Sequence, residues 1–570
     1  MRIKISTFFL GVLFLLLFCG LFNLQVLQYD KFSRLSRKNH IRLLAQPGAR
    51  GRILDRNNQV IIDNYLTFDV MVLAEEKEEL DQAISIIART LGISPAELKK
   101  AYRKNYSAPF IPVTLAKNID IKKAVALEEL KMDYPGVVIQ QRPVRSYPYG
   151  KLACHVAGYL SEIDQWRLSK LQDYGYNPKD IVGYGGVEEK YDYYLREEEG
   201  ALSVEVDHRG KFVRTLGFKP AKNGKDIQLT LDLAIQKIAE SSLGERKGSV
   251  VIMDPASGEI FALASSPGYN PEVFVKKTGS SLADIFANSH SVLMNRAISG
   301  AYAPGSVFKL VVAEAALDTS KINLGTSFYC PGGMLVGNRY FKCWDTHNQQ
   351  DLIQAIAHSC DVFFYHTGIL LGAPLIHDYS LKFGFSKPTG IDLPYEVSGF
   401  VPHPRWKKAS RSQIWYDGDT ANFSIGQGDL LTTPIQIVRM ASVFANRGFL
   451  VNPYIVKSIA GQDITAYQKG NKSLGIKERF LNAIRQGELK VVADPQGTAS
   501  VLAGLSVAVA GKTGTAQVTR GQPHGWFSGF FPFDHSKFAI CVFLENGGSG
   551  YGACMVAKQI IEEMFKQGLV

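Results

Sequence analysis

The chain has 570 residues, more than one ordinary hydrophobic core accommodates, so two or three domains are expected. With 46% hydrophobic and 21% charged residues and no repeat or low-complexity tract, the composition excludes fibrous and disordered classes. The net charge of +11 comes from dispersed basic residues, with no basic helix and no aromatic-interleaved pattern. A nucleic-acid partner is therefore not expected, and an anionic membrane surface or polymer suits the charge equally well.

The first element is apolar. From Ile5 to Leu27 only Ser6, Thr7, Gly11, Cys19, Gly20, Asn23 and Gln25 interrupt an otherwise hydrophobic run. At about 1.5 Å per residue such a helix crosses the hydrocarbon core. Arg2 and Lys4 precede it and no small-x-small cleavage pattern follows, so residues 1–4 are expected as a short cytoplasmic tail and 5–27 as an uncleaved signal-anchor. Lys31, Arg34, Arg37, Lys38 and Arg42 follow the segment and argue for the opposite orientation. Long domains translocate largely regardless of such charges, and the chemistry below places the bulk of the chain outside.

Residues 28–225 carry strand-like and helical pieces without a catalytic constellation. Arg50 to Asn58 reads as a turn feeding the strand Val60-Ile61-Ile62, and the period over Leu80 to Tyr102 predicts helix, with Ser94-Pro95 opening a second one. The segments 145–150 and 183–188 read as loop-rich joints, their charged residues as turns and salt-bridged contacts. From residue 226 the pattern changes. A strand at Ile227 to Leu231 leads to a helix capped by Asp232, and the runs 249–254 and 259–264 predict a hairpin turning at Pro255 to Gly258. Residues 506–510 lead into Lys512, strands are expected at 527–532 and 538–544, and a closing helix at 556–565. This fits an antiparallel sheet flanked by helices, an α+β fold.

Three short words in this half carry the chemistry: Ser306-Val307-Phe308-Lys309, Ser359-Cys360-Asp361 and Lys512-Thr513-Gly514-Thr515. A serine and a lysine at i and i+3 share a helical face, so the Lys309 amine can take the Ser306 proton. Pro304-Gly305 delivers a helix N-terminus, where the positive end of the dipole favours developing negative charge. Ser359 and Asp361 are expected on an interhelical loop, the Ser359 hydroxyl relaying protons to a leaving amine. Lys512, on an edge strand, supplies positive charge for a substrate carboxylate. Gly514 leaves room for the substrate beside that strand, Thr513 and Thr515 add hydroxyls, and the N–H groups of Ser306 and Thr515 form the oxyanion hole.

Cys330, Cys343 and His347 between the first two words, with Cys360 inside the second, are three thiols and an imidazole, the ligand set of tetrahedral Zn²⁺. Two readings stand: a structural zinc that pins the Ser359 loop to the preceding segment, or a Cys330–Cys343 disulfide with His347 on the surface. No metal is needed for the chemistry itself. Cys154, Cys541 and Cys554 read as buried small residues.

The order of the three words resembles that of the penicillin-binding proteins and serine β-lactamases. Their context is similar to the class B, elongation-specific (rod-shape) penicillin-binding proteins. It includes Asn295-Arg296-Ala297 before Pro304-Gly305-Ser306, Gly418-Asp419-Thr420 with Ser424 to Gly428, His524-Gly525-Trp526-Phe527, and Arg50 to Arg56 in the non-catalytic half. Asp361 stands where many members carry Asn. The resemblance implies a penicillin-binding/serine β-lactamase-like transpeptidase domain at 226–570 on an elongated, dimerisation-like pedestal at 28–225, with one N-terminal transmembrane helix. It implies a D,D-transpeptidase that cross-links peptidoglycan stem peptides during cell elongation through a serine acyl-enzyme, and that β-lactams acylate. The expected location is the bacterial inner membrane, single-pass, with the catalytic domain on the periplasmic side. Expected partners are a glycosyltransferase of the shape, elongation, division and sporulation (SEDS) type and other elongation proteins. A β-lactamase or D,D-carboxypeptidase is the alternative. The hydrolase would need a deacylation base, and no glutamate loop is assignable as one.

Overall fold

The computed structural model describes residues 2–33, 41–73, 77–106, 112–130, 134, 136–206, 212–276, 279–287, 291–467 and 470–570. Arg34, Arg37 and Lys38, read above as orientation-setting charges, lie outside them. The chain forms two compact units, one made of 1–51, 64–144 and 196–224, the other of 52–63, 145–195 and 225–570.

In the first unit the apolar run is helical over Arg2–Phe22 and continues as a wider helical turn, Asn23–Leu27. Its segment Thr7–Leu27 is long and apolar enough to cross a membrane, and none of it is buried against protein. Further along, Lys77–Leu91 and Pro95–Asn105 form the two helices read from the period, the second capped by the Ser94 side chain. They pack, with Ile121–Leu130, on strands paired Phe68↔Ile119 and Val72↔Val113 around a core including Val70, Ile84, Ile87, Leu98 and Leu127. Ile41–Gln46, Gly200–Val206 and Phe212–Lys219 make a separate antiparallel sheet.

The second unit does not begin at residue 226, because two earlier stretches are stitched into it. Arg52 pairs with Asp226 at 2.7 Å, Asn57 donates to Asp232 at 3.1 Å, and Arg56 meets Glu259 at 3.3 Å. In the stretch 145–195, Arg145 and Glu188 form an ion pair at 2.7 Å with both side chains buried. Ala153 N–H donates to Glu240, and Tyr191 donates to Asp392. The joints expected to hold salt-bridged contacts do so, and both lie within the second unit.

Its elements are, in chain order, α1 Leu233–Leu243, β1 Gly248–Met253, β2 Ile260–Ser266 and α2 Lys309–Asp318. Four short strands follow, β3 Ser327–Cys330, β4 Gly333–Val336, β5 Arg339–Lys342 and β6 Asn348–Asp351. The helices α3 Leu352–Ala357, α4 Asp361–Leu371, α5 Asp417–Ser424, α6 Pro434–Ala445 and α7 Glu478–Ala493 come next. The strands β7 Ala510–Ala516, β8 His524–Phe531 and β9 Phe538–Leu544 and the helix α8 Gly550–Lys566 close the chain. The sheet order is β2-β1-β9-β8-β7, antiparallel throughout, which leaves β7 at an edge. β1, β2, β8 and β9 are buried almost throughout, as a sheet covered on both faces requires. Residues 506–509, expected to extend the strand before Lys512, are not strand; β7 begins at Ala510.

Candidate active site

The turn that carries Ser306 is held by backbone on two sides. Gly305 has φ +57°, and a Cβ there would lie 2.7 Å from the Thr515 carbonyl oxygen. Its N–H donates to the Gly426 carbonyl at 2.9 Å, and a Cβ on Gly426 would fall 2.1 Å from the Gly305 oxygen. Only glycine fits either place. A single 3-10 turn, Gly305–Phe308, then carries half-buried Ser306 and opens into α2. Every residue from Lys309 to Leu317 is buried, so α2 is a central helix without a solvent face.

The second word sits on the tight link expected between helices. Asp351 and Gln354 form a capping box at the start of α3. After Ala357 the chain passes through Ser359 at φ +55° and restarts with Cys360 as the N-cap of α4 and Asp361 as its first residue. A left-handed backbone at a non-glycine residue costs about 1–2 kcal/mol. Here it turns both Ser359 and Asp361 toward one cation. The Lys309 ammonium donates to the Ser359 carbonyl at 2.8 Å, to Ser359 Oγ at 3.3 Å and to Asp361 Oδ1 at 2.6 Å. Burial raises the Asp361 carboxyl above its usual range, and the adjacent Lys309 charge opposes that shift.

The third word lies along edge strand β7. Lys512 is fully buried, and its ammonium donates to the Thr513 carbonyl at 3.2 Å. Burial first, and then the charge of Lys309, drive its proton affinity well below that of an ordinary lysine. Thr513 donates its hydroxyl to Thr498 at 2.7 Å, Thr515 Oγ1 accepts from Gly550 N–H at 3.1 Å, and the Thr515 carbonyl accepts from Gln427 at 3.3 Å. Gly514 has a different reason from the one expected. A Cβ there would lie 2.7 Å from the Pro304 carbonyl and 3.2 Å from Val307, so the turn that carries Ser306 fills that space. Thr498 and Gln427 were given no role from sequence: Thr498 stands in an unremarkable turn after α7, and only the fold sets it against Thr513.

The cysteine cluster converges as well. Cys330 ends β3, Cys343 follows β5, His347 precedes β6 and Cys360 caps α4, and their four ligand atoms lie within 4.8 Å of one another. His347 Nδ1 is 3.6 Å from the Cys330 sulfur and 3.5 Å from that of Cys343. The thiols of Cys330 and Cys343 are free, not bonded to each other. Cys343 is the thiol held far down, chiefly by a hydrogen bond from Cys360 and then by one with His347. Asp361 N–H donates to the Cys343 sulfur at 3.2 Å, a direct link from this cluster to the second word. Cys154, Cys541 and Cys554 are buried and their thiols are raised by burial, the inert setting expected of them.

Comparison with known proteins agrees with this geometry. The profile of the penicillin-binding protein transpeptidase domain matches residues 248–566, and that of the penicillin-binding protein dimerisation domain matches 45–229. The peptidoglycan D,D-transpeptidase MrdA of Acinetobacter baumannii is 33% identical over 564 residues, 95% of this chain and 84% of that protein. The penicillin-binding protein PBP2 of Helicobacter pylori, solved in complex with MreC, superposes with a TM-score of 0.83 at 27% identity, over 93% of this chain and 99% of that one. A chain from a peptidoglycan synthase complex, solved to show how polymerization and crosslinking are coordinated, gives a TM-score of 0.76 at 28% identity over 99% and 98%. The chain belongs to the class B penicillin-binding proteins, in the group of rod-shape peptidoglycan D,D-transpeptidases.

Proposed function

We propose that this D,D-transpeptidase works through Ser306 as its acylated nucleophile. Lys309, as the free amine, takes the Ser306 proton as Oγ attacks the D-alanyl-D-alanine carbonyl of a stem peptide. The peptide C–N bond breaks, the amine of the leaving D-alanine receives a proton relayed by Ser359, and an ester remains on Ser306. An amine of a neighbouring stem then attacks that ester, forming the cross-link and returning the proton to Ser306. Lys512 and Thr513 bind the donor's terminal carboxylate, and the N–H groups of Ser306 and Thr515 receive the oxyanion. The observation that carries this reading is the Lys309 ammonium, which joins the first word to the second through both Ser359 and Asp361.

The cluster of Cys330, Cys343, His347 and Cys360 fits a structural Zn²⁺: three thiols and a ring nitrogen within one small sphere, and one thiol already disposed to be thiolate. Bound there, the metal would fix the β3–β6 segment to the start of α4 and take no part in acyl transfer. We also propose that the N-terminal helix anchors the chain in the cytoplasmic membrane with the catalytic unit on the outer side, where peptidoglycan lies. Assembly with an MreC-like protein and with a partner that polymerizes peptidoglycan is proposed on the strength of the two solved complexes, and the family resemblance suggests a SEDS-type glycosyltransferase for the second.

Labelling with a fluorescent penicillin tests the central assignment. Wild type is expected to give a stable adduct, Ser306→Ala none, and Lys309→Ala a rate lower by at least about 100-fold. A labelled Ser306→Ala protein would overturn it, and rapid release of hydrolysed penicillin would point to a hydrolase.

A further inference from the structure

The turn after α7 stands between the second and third words. α7 ends at Ala493, and Asp494 N–H donates to the Lys490 carbonyl at 3.0 Å. Gly497 folds the chain back on the helix: a Cβ there would lie 2.4 Å from the Val491 carbonyl oxygen, so no side chain fits. Ala499, fully buried, donates its N–H to that same carbonyl at 2.9 Å. Thr498 is thereby held from both sides. Its own N–H donates at 3.3 Å to the carbonyl of Ala357, the last residue of α3 and two before Ser359. Its hydroxyl meets that of Thr513 on β7 at 2.7 Å. One residue thus joins the two words, by main chain to the second and by side chain to the third.

Thr513 has little freedom of its own. It is buried, and a Cβ on Gly550, the first residue of α8, would lie 3.1 Å from the Thr513 Cβ. Among the described residues, the contact with Thr498 is the one hydrogen bond of the Thr513 side chain. A hydroxyl has one proton to give and two lone pairs. As the structure stands, Thr513 gives its proton to Thr498. A carboxylate offers only lone pairs, so seating one beside Thr513 calls for the reverse sense. Thr498 then donates to Thr513, and Thr513 donates to the carboxylate. Two hydroxyls in series ending on a charge polarise one another, and each bond gains from the next.

We propose that Thr498 is a positioning residue for the donor substrate: its hydroxyl holds that of Thr513 aimed at the terminal carboxylate and so adds to selection for a free carboxyl end. This rests on the reading of Lys512 and Thr513 as the carboxylate site. Thr498 acts through Thr513 and not on the reacting atoms, so its effect falls on carboxylate recognition. Its backbone bond to Ala357 keeps the hydroxyl in place relative to the Ser359 link, which any ligand seated on both words must span.

The test compares second-order acylation rates for one penicillin as the free acid and as its methyl ester, on full-length protein, by competition with fluorescent penicillin. Wild type is expected to prefer the acid. Thr498→Val keeps the branched shape and the backbone bond and removes only the hydroxyl. It is expected to lower the acid rate about 10-fold and to leave the ester rate unchanged. Thr498→Ser, which keeps the hydroxyl, is expected to restore the acid rate. An equal loss with acid and ester would overturn the proposal, because a purely structural role weakens both together. So would an acid rate unchanged in Thr498→Val, or no recovery in Thr498→Ser. Failure of the underlying reading is distinguishable: wild type would then acylate with acid and ester alike.

Discussion

At the scale of single residues the site turns on one contact. Lys309 has no solvent face, and its compensation is Asp361 at 2.6 Å with the Ser359 carbonyl at 2.8 Å. Removing one partner of a buried ion pair leaves an uncompensated charge and costs about 3–5 kcal/mol. Asp361→Ala is therefore expected to lower the acylation rate by on the order of 100-fold or more and to lower the thermal midpoint. Asp361→Asn, whose amide oxygen can still accept from the ammonium, is expected to recover most of both. Stopped-flow acylation read beside thermal melts checks this, and equal defects in the two variants would show that the site needs the carboxylate charge, which both lose, rather than the hydrogen bond. That Ser306 and Lys309 stand on adjoining turns was legible because helical spacing is local. That Asp361 answers Lys309 was not, because the two are 52 residues apart and meet only through the left-handed turn at Ser359.

Among elements, the short link between α3 and α4 is held at each of its three residues. Its Ser359 backbone is left-handed, its Cys360 belongs to the thiol cluster, and its Asp361 N–H is tied to Cys343. A metal in that cluster would hold the link from outside the catalytic groups. The expected outcome is about one equivalent of zinc per purified chain, with His347→Ala losing metal and acylating more slowly while every catalytic group is intact. Chelation of wild type should lower the thermal midpoint in the same way. Metal-free protein with an oxidised Cys330–Cys343 bond would refute it. The sequence placed the four ligands in one region but left disulfide and metal equally open, since spacing alone says nothing about where four side chains point.

For the molecule as a whole, the central helix α2 carries a cost. Glu314 is buried with both carboxylate oxygens unpartnered among the described residues, and burial, aided by nearby Asp318, raises it to about 8. Its unfolded value lies near 4.5. Between these values the unfolded chain binds fewer protons than the folded one, so this contribution is full below about pH 4.5 and is lost as pH rises toward 8. At pH 7 the difference is on the order of 3 kcal/mol. Melts across that window are expected to show stability falling with pH, with a shallower slope in Glu314→Gln. A slope identical in the variant would mean that Glu314 is not the source. The division into two units is likewise a whole-molecule property: residues 52–63 and 145–195 join the catalytic unit through Arg52–Asp226 and Ala153–Glu240, partners 174 and 87 residues apart.

What the sequence determined by itself was whatever depends on near neighbours or on fixed words. This includes the apolar span at the N-terminus, the hairpin of β1 and β2, the cap at Asp232, and the three motifs with the family they signify. What only the tertiary structure decided depends on long-range approach. It gave Gly514 its reason in the Pro304 carbonyl, set Thr498 against Thr513, and folded two early stretches into the catalytic unit. The physical division is that periodicity and turn chemistry act over a few residues, whereas burial and electrostatic partnership are set by whichever distant backbone packs alongside.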